Sequence, residues 1–493
     1  MGVIIPWSSK AKEIIMQKPA IILITCDELR RDTLSFYGNR AITTPHIDAL
    51  ARQSGVYDEC FTTSPWCLPA RCSILTGLYP HRSGAYSNFR KCPLDGNIKN
   101  LFKELRAGGY QTTLFGKCHF APVPYDETRP DISLPYDEFR DYYVSLGLDH
   151  LDLEDDKQVS VWFYDDYSKA LDKAGFLKDY RDNTWNKSMQ KLFPFPGPVE
   201  WHPDSWVADK ATAFIKNNSA KQNTGEQPLF AWISFSGPHY PFDAPAEYFP
   251  RVDSSRLWPR KIKEGELADS GRIHHRDFYG QGNIDGANQA RDKACMNFTE
   301  DYWERLRENY NANVALIDDK VGEILAAVKE RYGDNTLIFF SADHGEMLGN
   351  HGLWGKHNCA YDEVWRIPMF VKLPNGGEMK RMDSLVNSTD ILPTCLDAAG
   401  LPQIESDGQS LFRNGGKTQR DYTFAEGEGY IACTDGRYKY VHIQKQGENY
   451  RELLDRVSDP DEFENLIREP SCQEAAGRLK EKMIEHFMPK VLP

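Results

Sequence analysis

"AIILITCDE", residues 20 to 28, decides the fold. Its apolar run is far too short to span a bilayer, and it does not alternate as a half-exposed strand would. It therefore reads as a strand buried on both faces that ends abruptly in two acids. Comparable runs stand at "LFAWISFS" (229 to 236), "NTLIFFSA" (335 to 342) and "IPMFVKL" (367 to 373), with helical patterns between them. That alternation predicts an α/β sheet covered by helices on both sides.

Two helices are legible around it. In "TTPHIDALARQSG", Thr44 is placed to cap, Pro45 fits the first turn, Ile47 and Leu50 share a face, and Gly55 is placed to end the helix. From about Tyr302 to Arg331, Leu306, Tyr310, Val314, Ile317, Val321, Ile324 and Val328 form one stripe. Residues 121–205 and 251–300 are polar, aromatic and aperiodic, as expected of insertions that build substrate walls. After about residue 385 the pattern changes. "YIACTDGRYKYVHIQ" carries a DG turn between β-prone segments, which predicts a smaller antiparallel sheet. The expected division is a catalytic α/β region over 1–384 and an α+β region over 385–493.

The chain has 493 residues, 40% of them hydrophobic and 12% aromatic, enough for a large core. A net charge of -13 argues against general binding to nucleic acid or an anionic membrane. Eleven cysteines without regular spacing read as reduced thiols. No export signal is visible at the start of this chain, so a cytoplasmic location is expected. Nothing in the sequence fixes an oligomeric state.

Ligands in an open α/β sheet gather at the carboxyl ends of strands. Asp27 and Glu28 follow the first strand, His239 follows "ISFSGP", and Asp343 with His344 follows "LIFFSA". Such groups brought together call for a cation among them, and carboxylate-dominated ligation favours Ca²⁺, with Mg²⁺ or Mn²⁺ compatible with the histidine. Any one of these acids alone reads equally well as a turn or helix cap.

"SPWCLPARCSILTG", residues 64 to 77, puts Cys67 at the entrance of an apolar helix, with Pro69 in its first turn and Arg71 beside it. On these residues alone, Cys67 is either a thiolate activated by the helix dipole or a structural thiol.

The same stretch resembles the Cys-x-Pro-x-Arg signature of type I sulfatases, in the alkaline phosphatase superfamily. "TLFGKCHF" looks like that family's Gly-Lys-x-His motif, "SFSGPHYPF" its Pro-His-x-Pro segment, and "FFSADHGEMLGNHGLWGKH" its second metal motif with a downstream lysine. "DGRYKYV" and "ELLDRVSDPDEFENL" resemble its C-terminal subdomain. The resemblance implies an alkaline-phosphatase-like large mixed sheet sandwiched by helices, with a small C-terminal antiparallel sheet. It implies one divalent metal held by Asp27, Glu28, Asp343, His344 and the oxygen of Cys67 after conversion to formylglycine. Glu28 stands where many members have Asp, and His344 where many have Asn.

By the same resemblance Arg71 orients the formylglycine hydrate, Lys117 and Lys356 hold the anion, and His119 and His239 move protons. Asn88 is a further anion ligand or the holder of a turn. One hydroxyl of the hydrate would attack sulfur while His239 protonates the leaving alcohol. His119 would then deprotonate the other hydroxyl to expel sulfate. A formylglycine-generating enzyme or a radical maturase is the implied transient partner.

The expected activity is hydrolysis of a sulfated sugar or other small organic sulfate. The alternatives are a phosphonate monoester or phosphodiester hydrolase on the same scaffold, and an inactive protein that binds sulfated glycans. "DHLDLEDD" (149 to 156), followed by "VWFYDDY", reads as an acidic and aromatic cradle for a cationic group or as a solvated face.

Overall fold

The computed structural model describes residues 18–88, 93–122, 134–186, 192–218, 227–266, 298–356, 359–445 and 447–488. Parts of both expected insertions, 123–133, 187–191 and 267–297, lie outside the described residues.

The large sheet has eight strands: β1 (Ala20–Asp27), β2 (Gly55–Tyr57), β3 (Gln111–Gly116), β4 (His150–Leu153), β5 (Leu229–Pro238), β6 (Thr336–Ala342), β7 (Met369–Lys372) and β8 (Lys380–Met382). Their order is β8-β2-β7-β6-β1-β5-β3-β4. β6, β1, β5, β3 and β4 are mutually parallel, whereas β7 runs antiparallel to β6 and β2. Every residue of β1, β5 and β6 is buried. A side chain such as Leu23 or Ile24, fully removed from water, contributes about 1.5–3 kcal/mol, which is why unbroken apolar runs mark these strands.

Helices α1 (Pro45–Ala51), α2 (Cys67–Thr76), α3 (Leu101–Ala107), α4 (Pro203–Asn217) and α5 (Glu300–Tyr332) surround the sheet. Phe230 and Trp232 of β5 meet Phe102 of α3 on one face. Phe115, which pairs with Ile233 and so points the other way, meets Phe214 of α4. The sheet is thus a middle layer. All seven apolar residues of the expected α5 stripe are buried.

Two local expectations for α1 are corrected. Thr44 occupies the N-cap position, but its hydroxyl bonds Ser35 and Asp48 side chains rather than the helix backbone. The free N–H groups of His46 and Ile47 go instead to the carboxylate of Asp318 on α5, at 3.3 and 2.8 Å. Gly55 does not end the helix: α1 stops at Ala51, and Gly55 opens β2.

The C-terminal sheet is antiparallel, in the order β9 (Thr423–Gly427), β10 (Tyr430–Thr434), β11 (Tyr438–Lys445) and β12 (Glu448–Asp455). Gly436, at φ 95°, makes the expected DG turn between β10 and β11. Helix α7 (Gln473–Phe487) covers this sheet, while α6 (Ile391–Ala398) packs into the core of the large layer. Ala425, Ala432 and Val441 join Phe61 and Trp365 in a second core, which fixes the small sheet beside the residues that follow Lys356. Among the described residues, no helix is long and apolar enough to cross a membrane, and nine cysteines are free.

Candidate active site

Because the central strands are parallel, their carboxyl ends open on one edge, and four adjacent strands each deliver an ionisable group there. Asp27 ends β1, His239 follows β5, Lys117 and His119 follow β3, and Asp343 with His344 follows β6. The turn after β1 is held by Tyr310 of α5. Its hydroxyl donates to the Glu28 carbonyl oxygen at 2.5 Å and accepts from Arg30 N–H at 2.9 Å. Glu28 and His119 both have left-handed backbones, at φ 65° and 50°, a conformation costing a side-chain-bearing residue about 1–2 kcal/mol. Asp343 Oδ1 takes Glu28 N–H at 3.0 Å, and Asp155 Oδ1 takes His119 N–H at 2.7 Å, so each strained residue is anchored by a carboxylate.

Asp27, Cys67, Asp343 and His344 form one buried group, with one ligating atom from each lying within 4.8 Å of the others. His344 Nδ1 lies 3.0 Å from the Gly345 carbonyl oxygen, to which it can only donate. Its Nε2 therefore turns a lone pair toward Cys67 Sγ at 3.2 Å and Asp27 Oδ1 at 3.5 Å. Carboxylate oxygens and an imidazole lone pair converging on one buried point fit a divalent cation, and the donor set is that of a hard or borderline ion.

Cys67 is the first residue of α2 and is 1% exposed. The activated-thiolate reading is corrected: burial and the nearby Asp27 carboxylate push its thiol well above the ordinary range, outweighing Lys117 and Lys356. As a cysteine it is a neutral thiol.

The cations are fixed with equal economy. Arg71 Nε donates to Asp343 Oδ2 at 2.9 Å, and its Nη1 donates to the Lys117 carbonyl and to Ser234 Oγ, while Nη2 has no partner. Lys117 Nζ donates to Asp27 Oδ2 and, at 2.6 Å, to Asp156 Oδ2. Burial works against the charge of Asp27, but the Lys117 ammonium and the Arg71 guanidinium hold its carboxyl well below the usual range. Lys356 Nζ lies 2.7 Å from His239 Nε2 and 3.4 Å from Glu28 Oε1. Burial and the neighbouring lysines depress both His119 and His239, so both are neutral. Both ring nitrogens of His119 are buried without a partner.

The Glu28 carboxyl is not part of the group formed by Asp27, Cys67, Asp343 and His344; it faces Lys356 and His239 Nε2, at 3.4 and 3.5 Å, and burial with the neighbouring Glu346 pushes it well above the usual carboxyl range. Asn88 lies at the start of α2, where its Oδ1 accepts the Leu68 N–H at 3.0 Å. Reasoning from sequence missed Ser234, Asp155 and Asp156. Within the acidic run 149–156, Glu154, Asp155 and Asp156 are buried, as are Trp162 and Phe163, so this end of the run is not a solvated face. Asp155 accepts from the N–H groups of Cys118 and His119 and from the hydroxyls of Tyr136 and Tyr143. The signal available was position, since the run directly follows a strand that neighbours β3.

A model of the sulfatase family matches residues 19–401, and a model of the C-terminal region of N-sulphoglucosamine sulphohydrolase matches residues 349–488. The arylsulfatase of Clostridium perfringens is 27% identical over 489 residues, covering 95% of this chain and 94% of that protein. The N-acetylglucosamine-6-O-sulfatase of Bacteroides thetaiotaomicron is 25% identical, covering 92% of this chain and 83% of that one. The solved phosphonate monoester hydrolase of Agrobacterium radiobacter matches with a TM-score of 0.75 at 24% identity, over 95% of each chain. With motifs, sheet and strand-end charges in agreement, the chain belongs to the sulfatase family of the alkaline phosphatase superfamily and is a sulfuric ester hydrolase.

Proposed function

We propose that this chain cleaves the sulfate ester of a sulfated sugar or other small organic sulfate to an alcohol and inorganic sulfate, using formylglycine made from Cys67 and one divalent metal, Ca²⁺ in the first instance. The observation that carries this reading is the buried convergence of Asp27, Cys67, Asp343 and His344, ringed by Arg71, Lys117 and Lys356. The similarity to an N-acetylglucosamine-6-O-sulfatase supports a sugar as the alcohol.

Asp27, Asp343 and His344 would hold the metal, with residue 67 completing the set. When present, the metal and the hydrated aldehyde supply an acidified hydroxyl for attack on sulfur and a second hydroxyl on the same carbon for release of sulfate. The chain's own residues do the rest. Lys117 and Lys356 bind the sulfuryl oxygens, and the unpartnered Nη2 of Arg71 keeps a donor for the residue-67 oxygen. Since His239 Nδ1 donates to the Tyr240 carbonyl, its Nε2 and Lys356 Nζ share the proton that passes to the leaving alcohol oxygen. His119, neutral and with both ring nitrogens unpartnered, is the base of the second half-reaction.

The test is the mass of the proteolytic peptide carrying residue 67, from a host that matures sulfatases, followed by a panel of sulfated sugars, aryl sulfates and phosphonate monoesters. An aldehyde-mass peptide and sulfate release from the panel are expected. An unmodified thiol in fully active protein would overturn the nucleophile, and turnover of phosphonates alone would overturn the substrate class.

A further inference from the structure

Lys117 is bound at both ends of a bridge. Asp27 at the end of β1 and Asp156, three residues beyond the end of β4, both accept from its Nζ, so one ammonium ties together the segments that end the first and last of four neighbouring strands. Asp156 is fixed from behind: its Oδ1 accepts the Gln158 N–H at 2.8 Å, and its carbonyl accepts from Val159 N at 2.9 Å, opening the short helix Val159–Trp162. It is also inside the centre, since one ligating atom each of Asp27, Asp156 and His239 lies within 4.8 Å of the others. Its side chain keeps 5% exposure, whereas those of Asp27 and Lys117 keep none.

Resting on the sulfate-ester reading above, we propose that Asp156 is a positioning and selectivity residue. It fixes Lys117 for the anion and, as a carboxylate beside it, disfavours transferred groups that carry more negative charge than a sulfate monoester. The physical basis is Coulombic. A sulfuryl ester carries one negative charge and a phosphoryl monoester carries two above a second pKa of about 6, so a fixed carboxylate repels the second about twice as strongly. Burial preserves that difference against screening by salt. A merely structural acid would weaken both classes alike when removed.

The experiment uses metal-loaded protein with mature residue 67, as wild type, Asp156→Asn and Asp156→Glu. Two readouts are taken: calorimetric titration with inorganic sulfate, and kcat/KM for 4-nitrophenyl sulfate and 4-nitrophenyl phosphate at about pH 8, where the phosphate is a dianion. In Asp156→Asn, inorganic sulfate is expected to bind about tenfold more tightly. The phosphate-to-sulfate ratio of kcat/KM should rise by a similar factor, while kcat for the sulfate falls because Lys117 has lost one anchor. Asp156→Glu keeps the charge and should keep the wild-type ratio. Sulfate binding that is unchanged or weaker in Asp156→Asn, with an unchanged ratio, would overturn the proposal. Failure of mature wild type on every sulfate ester would tell against the sulfate-ester reading, and the sulfate titration would still decide the role of Asp156.

Discussion

Lys356 Nζ stands 2.7 Å from His239 Nε2, while Nδ1 of the same ring lies 2.6 Å from the Tyr240 carbonyl oxygen. A carbonyl only accepts, so Nδ1 carries the ring proton and Nε2 accepts from the lysine. Burial and the Lys356 charge both hold the imidazole neutral, and the ring is stacked on Tyr240 at 4.2 Å, so it cannot easily swing away. Lysine and histidine thus form one unit that presents one proton on the side of the site facing Glu28.

If they act as a unit, their losses are not independent. Lys356→Ala and His239→Ala should each lower kcat for a sulfate ester by about 10²-fold or more, and the double variant should be little worse than the poorer single. Steady-state kinetics of the three variants on one ester checks this. A double variant whose loss is the product of the single losses would show that the two groups act separately.

The four residues proposed to hold a metal make a separate prediction, because they also hold one another. Asp343 accepts from Arg71, Glu28 N–H and His344 N–H, so Asp343→Asn should lose both metal and order, whereas His344→Ala removes a single lone pair. Elemental analysis after dialysis should show metal retained by wild type and reduced in His344→Ala, with the circular dichroism spectrum unchanged. Activity removed by a chelator should return on adding Ca²⁺. Full metal occupancy in His344→Ala would remove that residue from the ligand set.

How much of this was legible in the sequence depends on where each partner lies. The strands could be read because burial on both faces leaves an unbroken apolar run, and the strand-end acids because chain order places them at one edge of a parallel sheet. The run Glu154-Asp155-Asp156 was not legible. An acidic triplet is ordinarily hydrated, and what buries it are groups far away in the chain: Lys117 Nζ, two backbone N–H groups after β3, and two tyrosine hydroxyls. The same reason hid the cap of α1, supplied by Asp318 from another helix, and the neutrality of Cys67, which arises from burial no local pattern records.

Asp318 gives a pH-dependent prediction far from the catalytic charges. Burial raises its carboxyl from an ordinary value near 3.8 to about 6, against the opposing pull of the Ile47 and His46 N–H groups. The native state therefore keeps a proton that the unfolded chain has released. The stabilisation is complete below about pH 3.8 and is lost as pH rises through about 6. The change is about 2–3 kcal/mol. Denaturant unfolding of wild type and Asp318→Asn should show the wild-type advantage shrinking by that amount between the two ends of the window. Parallel curves for the two proteins would mean that Asp318 titrates alike in both states.

The last prediction concerns a glycine that joins fold to chemistry. Gly116 ends β3 at φ 96°, and a Cβ there would press into the Ser234 carbonyl oxygen of β5, backbone that cannot yield without moving the strand. That carbonyl accepts Lys117 N–H at 2.9 Å, Ser234 Oγ holds Arg71 Nη1, and the same Nη1 donates to the Lys117 carbonyl. Gly116→Ala should therefore cost about 3 kcal/mol or more in stability, from the left-handed backbone and the overlap together. It should also lower kcat at least about tenfold at temperatures where the variant is still folded, because Lys117 and Arg71 shift with the strand. Gly38→Ala is the matched control: φ is 100° there, nothing lies within 4 Å of the added carbon, and only the conformational cost of about 1–2 kcal/mol should appear, with kcat unchanged. Thermal unfolding and initial rates on the same samples separate the two effects. Equal kcat in the two variants would mean that the β3–β5 contact supports the fold without setting the positions of the catalytic cations.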